Sequence, residues 1–502
     1  MTDTQPANRP IRVRMAPSPT GPLHIGTART SLYNYLFARH AGGTYVLRIE
    51  DTDTARSTVE YERDIIDNLH WLGITWDEGP QVAGGEDVGP YGPYRQSQRL
   101  ELYAREAQRL LDSGHAYHCW CSPEELEAVR REQEANREAP RYNGRCLRLT
   151  DAERAQFERE GRRPAIRLRV PPELIRFDDL IRGEVEFDNS LLGDFVIVRA
   201  NGVPLYHFVV VVDDEAMQIT HVIRGEDHLS NTPKHIALMR ALGYAEPRFG
   251  HIPLILNPDR SKMSKRRSQT AITAYREQGY LPEAMVNFLA FLGWSPGTEE
   301  EIFSLDQLAE RFEIGDVHKG GAVFDADRLN YLNGVYIRNL TDQQLALRLR
   351  PFLPAVLDDA SVLRVVPLIK ERLVRLADAP ELVAFLWETD AQVAALYDAE
   401  LLLPRNRSAA EVAEAVARAR DELGALDEAD FAADVLEDRC RRAADDMGWK
   451  AGDFFRPLRV AVTGRTISPP LFGSMELLGR ERVLARLETA IGVLAAAGAR
   501  TA

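Results

Sequence analysis

The chain has 502 residues, enough for about three domains of ordinary size, and its 45% hydrophobic and 27% charged residues are the composition of a globular protein. Its 62 basic against 76 acidic residues leave a net charge of −14, which argues against a broad basic coat for nucleic acid but leaves local basic patches open. Four cysteines exclude a disulfide scaffold and fit a reducing, cytoplasmic setting, no run reaches the ~18 apolar residues of a membrane span, and the opening MTDTQPANRP lacks the apolar stretch of a secretory signal.

Ile11–Met15 alternates apolar and polar residues and predicts a strand. Pro17, Pro19, Gly21 and Pro22 break regular structure, and a helix is expected from Thr27, with Leu32, Tyr35 and Leu36 at helical spacing. Tyr45–Ile49 reads as a second strand. Ser57 and Glu60 have the spacing of a capping box ahead of a helix that carries Ile65, Leu69 and Leu72 on one face. Strand, helix, strand, helix is how a parallel α/β sheet opens. From about Tyr103 to Pro204 the chain changes: it holds three of the four cysteines and a very polar segment, Glu124–Arg163, and reads as an insertion. Strands are expected at His207–Val212, Ile219–Ile223 and Ile252–Leu256, with a helix at Pro233–Leu242, so the sheet resumes after the insertion. Beyond Arg267 helices dominate, beginning with Pro282–Trp294, where Pro282 suits a first turn. Glu299–Glu301 reads as a solvated helix start, and Leu403–Ser408 as a linker between two helical subdomains.

Two loops carry chemistry. Pro17–Thr27, between a strand and a helix, contains His24 and Gly26; a phosphate there meets unpaired helix N–H groups and the positive end of the dipole. A proline-rich turn with a half-buried histidine would explain the same residues. About 240 residues on, Asp259–Arg267 gathers Lys262, Lys265, Arg266 and Arg267 after a strand. Such a loop can cover a triphosphate and neutralise charge on leaving pyrophosphate, whereas a solvated basic loop is the plainer reading. Both loops together, each after a strand, are hard to assign to chance.

His24-Ile-Gly-Thr27 and Lys262-Met-Ser-Lys-Arg266 resemble the paired HIGH and KMSKS signatures of class I aminoacyl-tRNA synthetases. Arg14–Gly21, Arg48–Asp53, Gly92–Ser97, Val211–Asp214 and Ile223–His228 narrow the resemblance to the glutamyl-tRNA synthetase family, from about Arg12 to the C-terminus and most sharply over the first 340 residues. The fourth position of the first signature is Thr27 and the last of the second is Arg266, both familiar in that family. The resemblance implies an α/β fold: a Rossmann-like parallel-sheet catalytic core split by an insertion and followed by an all-α anticodon-binding region. The expected division is a first core half at 11–104, an acceptor-binding insertion at 105–205, a second core half at 206–256, a KMSKR-loop and stem-contact region at 257–340, and helical anticodon-binding subdomains at 341–404 and 405–502.

The implied activity is ATP-dependent activation of L-glutamate, followed by transfer to tRNA(Glu) in protein synthesis, by a cytoplasmic monomer with no membrane partner. His24, Gly26, Thr27, Lys262, Ser264 and Lys265 are then expected at ATP, with Mg2+ carried by the nucleotide. His24, Lys262 and Lys265 are the expected catalytic groups. Glutamate has two carboxylates and one ammonium, so its pocket needs cationic or hydroxyl donors and one acid. By resemblance Arg14, Tyr206 and Arg224 take the side-chain carboxylate and Glu50 the α-amino group, beside Ser18. Arg is suited to this because its planar fork pairs a carboxylate twice. A lone strand arginine is more often a surface ion pair, and Glu50 beside Asp51 and Asp53 also reads as part of a solvated acidic cluster.

Cys119, Cys121 and Cys146 suit tetrahedral zinc. One variant of the family's zinc site ends in a histidine where this chain has Arg148; in another a tyrosine four residues before the last cysteine is a ligand, as Tyr142 is placed. Three free cysteines left from an ancestral site are the alternative. Cys440 reads as packing. For tRNA, Arg364, Lys370, Arg372 and Arg375 cluster in one stretch, and Arg456, Arg459 and Arg465 in another; the resemblance implies that Arg372 reads the anticodon. Glutaminyl-tRNA synthetase is disfavoured by the helical Leu/Ala-rich tail. A nucleotidyltransferase would lack the lysine-rich second loop, and a non-catalytic RNA-binding module would not need His24, Lys262, Lys265, Arg14 and Arg224 intact. A non-discriminating enzyme that also charges glutamine tRNA stays open.

Overall fold

A computed structural model describes residues 9–263 and 270–501. The chain divides into two compact units: residues 1–276 with 282–329, and residues 277–281 with 330–502.

In the first unit β1 (Arg12–Met15), α1 (Ile25–His40) and β2 (Thr44–Leu47) form the opening, and β1 and β2 pair in parallel with Arg14 opposite Val46. Helix α1 is buried on nearly every side, with Ile25, Ala28, Leu32, Tyr33 and Leu36 all in the core, which is why its apolar residues show no single stripe. Helix α2 (Val59–Trp71) is capped by Thr58, whose side chain accepts from the Tyr61 N–H at 3.2 Å. The expected Ser57–Glu60 box is therefore displaced by one residue: the Thr58 N–H is held by the Pro19 carbonyl, and the helix starts after it. A short antiparallel pair, β3 (Gly79–Pro80) and β4 (Asp87–Val88), precedes α3 (Leu100–Asp112).

The cysteine-bearing stretch holds β5 (Ala116–Cys119), α4 (Pro123–Ala135), α5 (Asp151–Arg159), β6 (Ala165–Leu168), β7 (Leu174–Asp179), β8 (Gly183–Asp188) and β9 (Phe195–Val198). Strands β5, β6 and β9 make an antiparallel sheet, while the β7–β8 hairpin joins the sheet of the core.

The expected strand at His207–Val212 is instead part of helix α6 (Tyr206–Ala216). Phe208 to Val212 are all buried, so the continuous apolar run carries no period that separates strand from helix. Next come β10 (His221–Gly225), α7 (Thr232–Leu242) and β11 (Arg248–Ile252). The strand expected at Ile252–Leu256 is broken at Pro253, which has no N–H for a ladder; β12 (Ile255–Leu256) follows it and pairs with β13 (Ala322–Val323). The core sheet runs β10–β11–β7–β8, parallel as far as β7, with Arg224 opposite His251 and Phe249 opposite Asp179. Strand β1 lies beside β10, where the Thr220 N–H donates to the Arg12 carbonyl at 3.0 Å. Val46, Tyr103, Phe208, Val211, Ile236 and Leu238 fill one continuous core.

Helices α8 (Ile272–Glu277), α9 (Pro282–Ala290) and α10 (Leu305–Arg311) follow. Glu299–Glu301 is not a helix start: Ser304 caps α10 in a capping box with Gln307, and the Glu301 carbonyl instead accepts from the Asn287 side chain. Helix α11 spans Ala326–Asn339. The second unit is helical throughout its described residues beyond this point: α12 (Asp342–Leu349), α13 (Asp359–Ile369), α14 (Ala379–Val383), α15 (Asp390–Ala394), α16 (Ala399–Leu402), α17 (Ala409–Gly424), α18 (Ala433–Asp446), α19 (Ala451–Thr463), α20 (Leu471–Leu478) and α21 (Arg480–Thr501). Helix α17 buries Val412, Val416, Ala419 and Leu423, a 3.6-residue stripe, and Ser408 and Glu411 cap it reciprocally. Cys440 is buried in α18, as packing requires.

Candidate functional site

A cleft of about 610 Å3 opens at the ends of β1 and β10, lined by Arg14, Ser18, His24, Gly26, Thr27, Glu50, Tyr206, Arg224 and Lys262 among others. Ligand crevices of parallel sheets lie at such carboxyl ends. All but two of the site residues expected outside the cysteine cluster and the helical tail line this one space. Those two, Ser264 and Lys265, lie outside the described residues together with Arg266. The cations on the wall, Arg14, Arg29, Arg224 and Lys262, outnumber the acids, Glu50 and Asp227, so a protein of net charge −14 presents a locally basic cleft.

The first loop is shaped by His24. Its imidazole caps α1: Nδ1 accepts from the Thr27 N–H at 3.2 Å, and Nε2 faces Thr27 Oγ1 at 2.8 Å. Thr27 thus serves as the histidine's partner where the general signature has a second imidazole. Gly26 is glycine for a steric reason, since a Cβ would stand 3.2 Å from the His24 ring. The Ile25 N–H donates to Thr270 O and the Ile272 N–H to Leu23 O, so the chain returning from the second loop is laced to the first. On the outgoing side Leu256 bridges Lys262 across a turn in which Arg260 takes φ +63°.

Around Arg14 and Glu50 the cleft wall is a buried network of charge. Arg14 Nε donates to Asp214 Oδ1 at 3.1 Å. Arg48, fully buried, donates to Asp214 at 2.7 Å and to Glu50 at 3.3 Å. Asp213 receives Arg99, Gln96 and the Tyr103 hydroxyl. Burial pushes the carboxyls of Glu50 and Asp213 up; it pushes at Asp214 too, but Arg14 and Arg48 bring that group below its ordinary value. Glu50 lies three residues beyond β2, its N–H fixed by the Pro17 carbonyl at 3.0 Å. Tyr206 opens α6, and its hydroxyl meets His228 Nδ1 at 3.1 Å; burial raises the phenol to about 12. Arg224 donates to Thr232, His235 and His251, and burial lowers it to about 10.

Arg48, His235 and His251 are not marked as site groups by the sequence, and Asp213 and Asp214 only as acids that could shape the adenosine or metal environment. Two acids ending the apolar run Val209–Val212 are the signal that buried cations await them; nothing in the local sequence marks the two histidines.

In the same unit Cys119, Cys121 and Cys146 bring three sulfurs within 4.8 Å of one another. The Tyr142 hydroxyl stands 3.7 Å from Cys119 Sγ and 3.5 Å from Cys121 Sγ, and the Cys146 N–H donates to it at 2.9 Å. Arg167 Nε donates to Cys119 Sγ at 3.2 Å and its guanidinium lies over the Tyr142 ring. Hydrogen bonds from Cys121 and Cys146, aided by Arg167, hold the Cys119 thiol well below its ordinary value. Three clustered thiols with a phenol beside them offer four donors, the number a structural zinc ion takes.

In the second unit Arg372 ends a short 3-10 turn, exposed, and near Arg459, whose guanidinium it helps to lower after burial. The neighbouring cations are engaged internally: Lys370 with Asp342, Arg375 with Asp378, Arg459 with Ser468 and Pro469.

Residues 10–331 match the family model for the catalytic domain of class I tRNA synthetases (E and Q), and residues 344–491 match an anticodon binding domain. The chain is 45% identical over 498 residues to a glutamate–tRNA ligase of Desulforudis audaxviator, with 97% of each chain covered. It is 46% identical over 504 residues to one of Acidothermus cellulolyticus, with 98% of this chain and 97% of the relative covered. A crystal structure of a glutamate tRNA ligase from Elizabethkingia meningosepticum in complex with its amino acid superposes with a TM-score of 0.83 at 34% identity, covering 97% of this chain and 100% of that one. With the first loop signature and Lys262 of the second on one cleft and these relatives along its whole length, the chain belongs to the glutamate–tRNA ligase family of class I aminoacyl-tRNA synthetases.

Proposed function

We propose that this chain activates L-glutamate with ATP and transfers it to tRNA(Glu). The observation that carries the reading is the convergence of His24, Lys262, Glu50, Tyr206 and two arginines, Arg14 and Arg224, on a single cleft. Arg14, Arg224 and Tyr206 take the side-chain carboxylate, Glu50 the α-ammonium, and Ser18 flanks the amino acid. The glutamate α-carboxylate oxygen attacks the α-phosphorus of ATP and pyrophosphate leaves. The terminal ribose hydroxyl of tRNA then attacks the adenylate carbonyl and AMP leaves. No enzyme nucleophile is needed; catalysis is positioning and charge stabilisation. His24, Gly26 and Thr27 receive the phosphates at the start of α1, while Lys262, Ser264 and Lys265 receive pyrophosphate. Magnesium enters with the nucleotide, where Asp227 is an acid on the cleft wall.

Cys119, Cys121, Cys146 and Tyr142 would hold zinc; such a closed four-donor site ties β5 to the turn at 145–148 and supplies structure rather than reactivity. Arg372 reads the anticodon. The division at 104/105, 205/206, 256/257, 340/341 and 404/405 remains our reading of the domains, as do a monomeric state and a cytoplasmic setting; among the described residues no helix is long and apolar enough to cross a membrane. Glutamate-dependent ATP–pyrophosphate exchange, run with and without tRNA(Glu), tests the activity. The family's dependence on tRNA leads us to expect exchange only when tRNA is present.

A further inference from the structure

Arg224 is held in an unusual way for a buried arginine. Strands β10 and β11 set it opposite His251, and the first turn of α7 brings Thr232 and His235 to its other edge. Its Nε lies 3.3 Å from His251 Nε2, one terminal nitrogen 3.1 Å from His235 Nδ1, and the other 2.8 Å from Thr232 Oγ1. A guanidinium only donates, so all three partners must accept. His251 Nδ1 faces Asp179 Oδ2 at 2.5 Å and carries the proton there, which leaves Nε2 free to accept. His235 Nε2 faces His207 Nδ1 at 3.1 Å and donates to it. Both imidazoles are therefore neutral in the tautomers that Arg224 requires. Arg224, Thr232, His235, His251 and Asp179 are each at most 5% exposed. Desolvation drives both histidines below their ordinary range, which favours the same neutral forms.

The contrast is with Arg14, whose charge is met by Asp214. Around Arg224 the three hydrogen-bond partners are all uncharged; Asp179 touches His251 and not the arginine, and Glu50 and Asp214 act on the guanidinium through space without a hydrogen bond to it. We propose that His251 and His235 are positioning residues for side-chain selection: they fix the Arg224 guanidinium at the cleft wall with neutral acceptors, so that no carboxylate of the protein pairs with it directly and it favours an anionic carboxylate over a neutral carboxamide. The proposal rests on Arg224 being a glutamate ligand, as proposed above.

The test uses the full chain with tRNA(Glu) present and measures kcat, KM for glutamate and KM for ATP by exchange, together with glutamate-over-glutamine preference. H251L and H235L remove the acceptors; H251Q and H235N return one at the Nε2 and Nδ1 positions respectively; T232V removes a hydroxyl at constant shape. H251L and H235L should raise KM for glutamate about tenfold or more and narrow the preference by a similar factor, with KM for ATP within about twofold. H251Q and H235N should recover most of the loss. T232V, the smallest of these changes in shape, should raise KM for glutamate about threefold or more. The proposal is overturned if T232V and the folded leucine variants keep the wild-type KM for glutamate, if KM for ATP rises in step, or if the glutamine and asparagine variants are no better than leucine. If the wild-type chain itself shows no glutamate-dependent exchange, the proposed function fails, and this proposal with it.

Discussion

Arg14 Nε and Asp214 Oδ1 meet at 3.1 Å, 200 residues apart in sequence and both nearly excluded from solvent. Asp214 also receives Arg48, so one carboxylate joins β1, the segment after β2, and the end of α6 beneath the cleft. Removing it strands the buried Arg14 guanidinium and takes from Arg48 its shortest carboxylate contact. D214A is expected to cost about 3–5 kcal/mol of stability, measured by urea unfolding, and D214N distinctly less because it keeps the shape and one acceptor. An undiminished D214A midpoint would mean the pair is not structural.

Gly26 separates stability from activity. Alanine in the first turn of a helix is intrinsically better than glycine by roughly 0.5–1 kcal/mol, but its Cβ would sit 3.2 Å from the His24 ring. G26A should therefore melt no lower than wild type while KM for ATP rises, because the imidazole must turn. A rise in melting temperature with unchanged ATP kinetics would remove His24 from the phosphate site.

The second loop is tested by charge. Lys262→Ala and Lys265→Ala should each lower exchange about 10²-fold or more with far smaller effects on melting. Folded variants with unchanged exchange would contradict their role at pyrophosphate.

His235 makes acid stability legible. It is fully buried, and desolvation sets its folded value well below 6.5. The unfolded chain then binds a proton that the folded chain refuses. Its contribution is complete above about pH 6.5 and is lost as pH falls towards the folded value, by up to ~1.4 kcal/mol per pH unit. His207 and His228, each lowered to about 4 by burial, act in the same direction. Unfolding free energy measured from pH 7 to pH 4 should fall, and H235N should flatten the slope.

For the cysteine cluster, the expected outcome is one zinc ion per chain on elemental analysis, with Y142F retaining less under chelator competition. Metal-free protein as stable as the purified form would leave the sulfurs without that role.

The signatures were readable because they are local: His24, Gly26 and Lys262 lie in short loops whose chemistry follows from neighbours in sequence, and the structure gathers them on one cleft. The opening β1–α1–β2 was readable from period and turn residues. What was not readable depends on distant packing. Helix α6 reads as a strand in the sequence because a valine run buried on all sides has no period. Pro253 cut a strand whose apolar pattern runs straight through it. The supports of Arg224 come from β7, α7 and β11, and no spacing links Asp179, His235 and His251 along the chain.

The most direct measurement is charging of purified tRNA(Glu) and tRNA(Gln), separately, with labelled glutamate and glutamine. Glutamate should be esterified to tRNA(Glu) in an ATP-dependent reaction that glutamine does not support, and R224Q should lose it. Glutamine charged as readily as glutamate, or an R224Q variant with the wild-type preference, would contradict the account of the cleft.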